Sequence, residues 1–155
     1  MEIKKYLEDL EIKYRLYKHP PVYTVEEASK YNGEIKGIHC KNLFVKDRKS
    51  RKFYLIIISA EEKLNLKDYE EILEEKLKFA NEKDLKEILN LETGAVSPFG
   101  LINDKEAKTI LIIEKKILES DYVSFHPNIN TETLELTREN FQKYLNTLKN
   151  KIIIK

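Results

Sequence analysis

Apolar residues recur every three to four positions in several stretches of this chain, as they do on one face of an α-helix. Near the N-terminus Ile3, Leu7 and Leu10 have this spacing, with charged residues between them. A helix is also expected to start at Thr24, because Thr24 and Glu27 have the spacing of a capping box. The other helical patterns cover residues 65–77, 81–90 and 138–150, the last two behind the capping residues Asn81 and Thr137.

Shorter apolar or alternating stretches predict β-strands. Residues 40–47 and 52–60 flank the polar turn 48–51, and the apolar run 55–58 suits a strand that is buried on both faces. Helices and strands follow one another in irregular order, which predicts an α+β fold with a mixed, largely antiparallel sheet flanked by helices. The remaining predicted strands are 14–19, 109–115, 122–127 and 131–137.

Composition narrows the class of protein. The chain has 155 residues with no internal repeat or linker, so we expect a single domain over residues 1–155. Its 28 basic and 27 acidic side chains leave a net charge of +1, so only a local patch can attract a polyanion. The N-terminus is charged and no apolar run reaches the roughly 20 residues that span a bilayer, which predicts a soluble, cytoplasmic protein.

Several kinds of chemistry lack support in the sequence. The three histidines, His19, His39 and His126, have no metal-ligand spacing, and no nucleotide-binding glycine motif is present. The single cysteine, Cys40, follows His39 directly, and neighbours on a strand point to opposite faces, so they make a poor nucleophile–base pair. We therefore expect neither a metal nor a cofactor.

The stretch "GAVSPFGLIND", residues 94–104, holds two of the four glycines and almost no charge. Gly94 can adopt a positive φ, and Pro98 restricts the exit of the loop. Only small or apolar side chains lie between them, so the backbone N–H and C=O groups carry the chemistry of this loop. They can hydrogen-bond a small polar ligand, but a plain tight connection fits the same residues.

Lys41 lies at the start of the predicted strand "CKNLFVKD". Alternation places Lys41, Leu43 and Val45 on one face and Asn42 on the other. An ammonium group beside Leu and Val needs an anionic or carbonyl partner, or must reach water. A lysine that reaches water from an edge strand is the simpler interpretation of this pattern.

Four stretches together resemble a known family. They are 19–28 ("HPPVYTVEEA"), 39–47 ("HCKNLFVKD"), 94–104 and 125–136 ("FHPNINTETLEL"). In order and spacing they are similar to the YbaK/prolyl-tRNA-synthetase-associated editing domains, and most to the freestanding prolyl-tRNA deacylases of the PrdX or ProX type. The resemblance covers about residues 3 to 148.

The resemblance implies hydrolysis, in trans, of the ester between a wrong amino acid and tRNA(Pro). It favours Ala-tRNA(Pro); Cys-tRNA(Pro) and a non-catalytic module that binds aminoacyl-tRNA or a synthetase are the alternatives. A separate editing pocket is useful because the proline-sized site of a synthetase cannot strongly reject a smaller amino acid. A missing methylene changes the binding free energy by only about 1–3 kcal/mol. The implied partners are mischarged tRNA(Pro) and prolyl-tRNA synthetase, without a membrane.

Site residues follow from the same resemblance. It implies catalytic roles for Lys41 and Gly94, with water as the nucleophile and Lys41 offsetting charge on the ester oxygen. His126 is expected to shape the pocket or hold a loop, with general-base action as the alternative. Among the many lysines, Lys18, Lys46 and Lys49 are candidates for phosphate contact. The implied substrate-binding residues are Asn42, Ala95, Val96, Ser97, Pro98 and His126.

Overall fold

The computed structural model describes residues 2–21 and 35–155. The helices in this part are α1 (Ile3–Asp9), α2 (Leu66–Leu73), α3 (Glu82–Leu89), α4 (Lys115–Leu118) and α5 (Arg138–Asn146), with a 3-10 helix at Pro98–Asn103. The strands are β1 (Arg15–Lys18), β2 (Cys40–Asp47), β3 (Phe53–Ser59), β4 (Leu77–Phe79), β5 (Thr109–Ile113), β6 (Tyr122–Phe125), β7 (Glu132–Thr137) and β8 (Ile152–Ile154).

These strands form two sheets. One has five strands in the order β4-β2-β3-β5-β8, and the other has three in the order β1-β7-β6. The pairs β3–β5 and β5–β8 are parallel, whereas the other four pairs among the described strands are antiparallel. The predicted α+β class with a mixed, largely antiparallel arrangement is confirmed, with the strands divided between two sheets.

Strand β3 lies at the centre of the hydrophobic core. All seven of its residues are buried, so the predicted burial of the 55–58 run on both faces is confirmed. Phe53, Leu55 and Ile57 pack into a larger cluster, here called the first cluster, together with α1, α3 and α5. Residues on its other face pack into a smaller second cluster with Tyr69 of α2. Side-chain alternation therefore gives the five-stranded sheet two apolar faces.

The three-stranded sheet covers the first cluster from the other side. Val123 and Phe125 of β6 and Leu134 and Leu136 of β7 all belong to this cluster. Because side chains alternate, the residues between them lie on the outer face of this sheet. That outer face is polar, and it carries Ser124 and Glu135.

A backbone bridge joins the two sheets ahead of β2. Ile38 pairs with Val123 of β6 in parallel orientation, and the Ile38 N–H donates to the Tyr122 carbonyl at 3.0 Å. Gly37 makes this approach possible, because a Cβ at this position would lie 2.6 Å from the carbonyl carbon of Val123. The absence of a side chain at residue 37 thus sets the course of the chain into β2.

Most predicted elements are confirmed. The differences concern the end of one helix and two edge strands. Asn81 and Asp84 form a reciprocal capping box at α3, and Thr137 caps α5. The helix predicted over 65–77 ends at Leu73, because Glu74 takes a left-handed conformation and the chain turns into β4. Strands β4 and β8 were not predicted. The helix predicted at Thr24 lies outside the described residues.

No helix in the described ranges combines the length and apolar character that crossing a bilayer requires.

We expect Gly37→Ala to destabilise the fold by about 2–3 kcal/mol, because the new methyl group collides with backbone that cannot move without breaking the bridge. Gly100→Ala is the matched control. There a Cβ meets the end of the Leu91 side chain, a flexible neighbour, so we expect a cost of about 1 kcal/mol or less. Urea unfolding of both variants checks the difference, and equal losses would contradict it.

Candidate functional site

The loop between α3 and the 3-10 helix is held by its own side chains. Gly94 has a φ of 90°, which confirms the predicted positive value. The fully buried Ser97 caps the 3-10 helix by accepting a hydrogen bond from the Phe99 N–H at 3.0 Å. The Tyr144 hydroxyl donates to the Pro98 carbonyl at 2.7 Å in a buried contact. These hydrogen bonds therefore fix the loop in place at the edge of the first cluster.

Three backbone donors of this loop have no acceptor within residues 2–21 and 35–155. Ala95 donates its N–H to the Glu92 carbonyl at 3.1 Å, but the N–H groups of Gly94, Val96 and Ser97 have no acceptor among the described residues. Gly94 and Val96 are half-buried, whereas Ala95, Ser97 and Pro98 are buried. What the loop can offer a ligand is a set of backbone donors, because the Ser97 hydroxyl already caps the 3-10 helix.

Asn128 joins this loop to the segment after β6. Its amide nitrogen donates to the Phe99 carbonyl at 3.4 Å, and the Ser97 hydroxyl donates to its Oδ1 at 3.5 Å. Its φ of 66° lies in the left-handed region that asparagine tolerates better than most residues. The ring of Phe99 also packs edge-on against Phe125. The structure thus brings the predicted loop and the predicted histidine region together.

His126 lies in this region with a defined proton position. Its Nδ1 is 2.7 Å from the Glu132 carbonyl, and since a carbonyl only accepts, Nδ1 carries the proton and donates. The ring of His19 lies 5.7 Å away, centroid to centroid. Burial lowers the pKa of His126, the Glu132 hydrogen bond raises it, and the charge of His19 lowers it further, with a net decrease. In the neutral ring Nε2 is then an acceptor.

Lys41 has a carbonyl partner, which was one of the alternatives that its position in the sequence left open, in place of the preferred interpretation of a lysine that reaches water. Its Nζ donates to the Glu62 carbonyl at 2.6 Å, and the side chain is half-buried. The turn that carries this carbonyl is fixed: Ser59 accepts from the Glu62 N–H, and the Ser59 N–H donates to Glu114 at 2.8 Å. Lys116 adds an ion pair to the Glu62 side chain. The ammonium group is therefore positioned by a turn anchored on α4.

Asn42 lies on the opposite face of β2 from Lys41, with Cys40 and Phe44. Its Oδ1 is buried and has no hydrogen-bond partner among the described residues. Cys40 itself donates to the Ile38 carbonyl at 3.7 Å, and burial raises the pKa of its thiol to about 12. His39 contacts Ser124 at 3.3 Å instead of Cys40. The half-buried thiol is thus kept protonated and apart from the histidine.

The parallel bridge sets the relation between Lys41 and His126. Both chains leave the Ile38–Val123 pair in the same direction, and Lys41 and His126 each come three residues later. At about 3.3 Å per residue both lie roughly 10 Å beyond the bridge, at the same end of their strands. Among the described residues no hydrogen bond or ion pair joins Lys41 to His126 or to the loop.

Residues outside the sequence-based set also shape this region. Asn128 and the Glu62 carbonyl were missed; an Asn following His-Pro is a signal for a left-handed turn, but a backbone carbonyl gives no signal in sequence. Lys46, a candidate for phosphate contact, is buried and paired with Asp84, which removes it from that role. Over residues 2–21 and 35–155, no group of three His, Cys, Asp or Glu side chains is arranged to hold a metal.

A two-sheet α+β fold with a Gly–Pro loop, a half-buried lysine and a histidine toward one end of the strands is the arrangement expected of an aminoacyl-tRNA editing domain. A family model described as "Aminoacyl-tRNA editing domain" matches residues 19–144. The chain belongs to this family, and the resemblance read from its four stretches is confirmed.

Individual relatives agree with this assignment. The "Prolyl-tRNA editing protein ProX" of Acetoanaerobium sticklandii is 40% identical over 138 residues, which is 88% of this chain and 84% of the relative. The "Prolyl-tRNA synthetase associated domain-containing protein 1" of Xenopus laevis is 33% identical, over 93% of this chain and 88% of the relative. The mouse protein of the same name is 32% identical, over 90% and 85%.

Solved structures show the same fold at low identity. The crystal structure of hypothetical protein APE2540 superposes with a TM-score of 0.77 at 17% identity, covering 99% of this chain and 98% of that one. A candidate trans-editing enzyme for prolyl tRNA synthetase superposes with a TM-score of 0.71 at 15% identity, covering 99% and 95%. These matches confirm the fold class.

The buried histidines make stability depend on pH. Burial lowers the pKa of His39 and of His126 below the ordinary value of 6.5, so the unfolded chain binds protons more readily than the folded one. The stabilisation is complete above pH 6.5 and is lost as the pH falls below it, by up to about 1.4 kcal/mol per pH unit for each histidine.

Urea unfolding between pH 5 and pH 8 checks this expectation. His126→Gln and His39→Gln should each flatten the decline in unfolding free energy on the acid side, and the double variant should flatten it most. A double variant with the wild-type pH dependence would show that these two rings do not cause it.

Proposed function

We propose that this protein hydrolyses the ester of mischarged tRNA(Pro) in trans, with Ala-tRNA(Pro) as the preferred substrate. The unused backbone donors of the Gly94–Ser97 loop are the observation that carries the proposal. The 40% identical relative is named a prolyl-tRNA editing protein, which supports tRNA(Pro) as the nucleic acid. Family membership supports the reaction, which is the removal of an amino acid from tRNA.

Ester hydrolysis requires a fixed position for the ester carbonyl and a water molecule beside it. Ester hydrolysis places negative charge on the former carbonyl oxygen, and preorganised N–H donors stabilise that charge. The N–H groups of Gly94, Val96 and Ser97, which have no acceptor among the described residues, can act as such donors. Lys41 adds a positive charge. Water is the nucleophile, and orientation within the pocket supplies much of the rate.

Two further groups fit the aminoacyl end of the substrate. The buried Asn42 Oδ1 needs a donor, and the α-ammonium of an amino acid is one. His126 holds its Nδ1 proton on the Glu132 carbonyl, so its role is to shape the pocket and present Nε2 as an acceptor. The loop carries only the small or apolar side chains of Ala95, Val96 and Ser97, which supports a small amino acid such as alanine as the substrate.

Partner and location follow from the same proposal. Relatives carry the name "prolyl-tRNA synthetase associated domain-containing protein", which supports prolyl-tRNA synthetase as a partner that produces the mischarged substrate. The reaction then takes place where charged tRNA is used, in the cytoplasm.

The direct test offers the protein Ala-tRNA(Pro), Cys-tRNA(Pro) and Pro-tRNA(Pro) separately and follows loss of the charged species. We expect fast hydrolysis of Ala-tRNA(Pro) and little hydrolysis of Pro-tRNA(Pro), because the ring of proline does not fit a pocket sized for a methyl group.

Faster loss of Cys-tRNA(Pro) would replace alanine by cysteine and keep the enzyme. Binding of all three without hydrolysis of any would replace the enzyme by a non-catalytic module. Alanyl-tRNA(Ala), run alongside, shows whether the tRNA body contributes to selection.

Lys41→Ala should lower kcat/KM on the preferred substrate by about 100-fold or more, because it removes a charge placed against the developing oxyanion. Its unfolding free energy should change little, since the lost contact is one hydrogen bond to Glu62. Lys78→Ala, at an exposed lysine on β4, is the matched control and should keep full activity. Retained turnover in the folded Lys41 variant would remove this side chain from the mechanism.

A further inference from the structure

The outer face of the three-stranded sheet carries a continuous row of polar and aromatic side chains. Glu135 of β7 lies opposite Arg15 of β1 and opposite Ser124 of β6. Tyr122 of β6 lies opposite Thr137 in the same way. Residues that pair directly across strands share a face, so all five lie on the side away from the first cluster.

This face extends from the strand ends to the candidate site. His19 follows Arg15 at an even spacing along β1, and His126 follows Tyr122 at an even spacing along β6, so both rings belong to the same side. The contact of His19 with Thr133 at 2.9 Å agrees with this placement. His126 comes four positions after Tyr122, and four positions along a strand span roughly 13 Å.

A groove of about 330 Å³ opens at the end of this face that lies away from His126. Glu135 lines it, but its Oε2 is occupied by the backbone N–H groups of Lys36 and Gly37, at 2.6 and 2.9 Å. The other main lining residues are Lys13, Tyr14, Arg15, Lys36 and Tyr122. We call this the basic groove.

The basic groove has an excess of positive charge, although the whole chain is almost neutral. Its three cations exceed its one carboxylate by two charges, whereas the entire chain has a net charge of +1. Lys13, Arg15 and Lys36 are exposed, and none of them forms an ion pair within the described residues.

Two tyrosines give the groove a second property. Tyr122 is 36% exposed, and the Lys36 ammonium lies 6.0 Å from the centre of its ring. Tyr14 is half-buried beside it, with its hydroxyl on Glu8 at 2.9 Å. Cations that alternate with aromatic rings are the usual means of holding a nucleic-acid backbone, with the rings available for base stacking.

We propose that the basic groove binds the sugar–phosphate backbone of the tRNA acceptor arm, next to the terminal nucleotides held at the candidate site. This inference rests on the proposed function. The occupant is an RNA because its phosphates match the charge excess and a base of the acceptor arm can stack on the exposed Tyr122 ring. With the aminoacyl ester at the Gly94–Pro98 loop and His126, the acceptor arm reaches the groove at the opposite end of the same sheet. Ser124 and Glu135, which lie between the two places, are buried and take no part in this contact.

The test removes the three charges together, as Lys13→Ala/Arg15→Ala/Lys36→Ala. The control variant Lys67→Ala/Lys76→Ala/Lys105→Ala removes three exposed lysines that lie outside the groove. Binding of uncharged tRNA(Pro) is measured between 50 and 300 mM salt. We expect the groove variant to bind on the order of 10-fold more weakly at 100 mM salt, and the slope of log K against log salt to decrease by about 2–3. The control should match the wild type.

A second measurement separates this inference from the proposed function. On an alanyl ester of the CCA trinucleotide, the groove variant should hydrolyse at the wild-type rate, because the groove is not needed for the terminal nucleotides. On full-length Ala-tRNA(Pro) its kcat/KM should fall with the loss of binding. If the wild type hydrolyses neither substrate, the proposed function fails, and the binding curves still decide the groove.

Binding curves of the groove variant that coincide with those of the wild type and the control would overturn the inference. That includes the case in which the variant instead loses binding to prolyl-tRNA synthetase, which would make the groove a protein interface. An equal loss in the groove variant and the control would also overturn it, since the effect would then come from net charge alone.

Discussion

Gly37 packs against the backbone of Val123 so closely that no side chain fits between them, and the parallel bridge from Ile38 follows directly. The candidate site depends on this contact. Lys41 belongs to the five-stranded sheet and His126 follows the three-stranded one, and the bridge is what brings both to the same end. A backbone-to-backbone contact of this kind is rigid, because neither partner has a rotamer that can relax. The relative placement of Lys41 and His126 therefore depends on main-chain geometry.

Polar side chains around the loop serve mainly to hold it. Ser97 caps the 3-10 helix, Asn128 bridges two segments, and Tyr144 fixes the Pro98 carbonyl. What remains for a ligand is backbone N–H groups, the Lys41 ammonium and one unpaired oxygen on Asn42. Such a set suits a small, polar, weakly charged group. The low charge of the stretch 94–104 agrees with this, because its chemistry is then that of the backbone.

Electrostatics in this protein act locally. A net charge of +1 gives no long-range attraction, yet three cations without an ion pair in the described part of the chain gather at one end of the outer face. Charges of this kind act over short distances, because salt screens exposed charges that are more than about 10 Å apart. The same face carries the half-buried His19 and His126 farther along.

Hydrophobic periodicity determined most elements and the α+β class, because both faces of β3 and one face of each long helix must be buried. The sequence also determined the positive φ at Gly94 and the need of Lys41 for a partner. It placed the end of α2 wrongly and missed β4 and β8, since short edge strands are stabilised by the neighbouring strand instead of by their own pattern. Only the tertiary structure decided which lysines are free, as the burial of Lys46 and the exposure of Lys36 show. It also decided which residues meet, because the bridge and the Asn128 contacts join positions far apart in the chain through backbone groups that every residue shares.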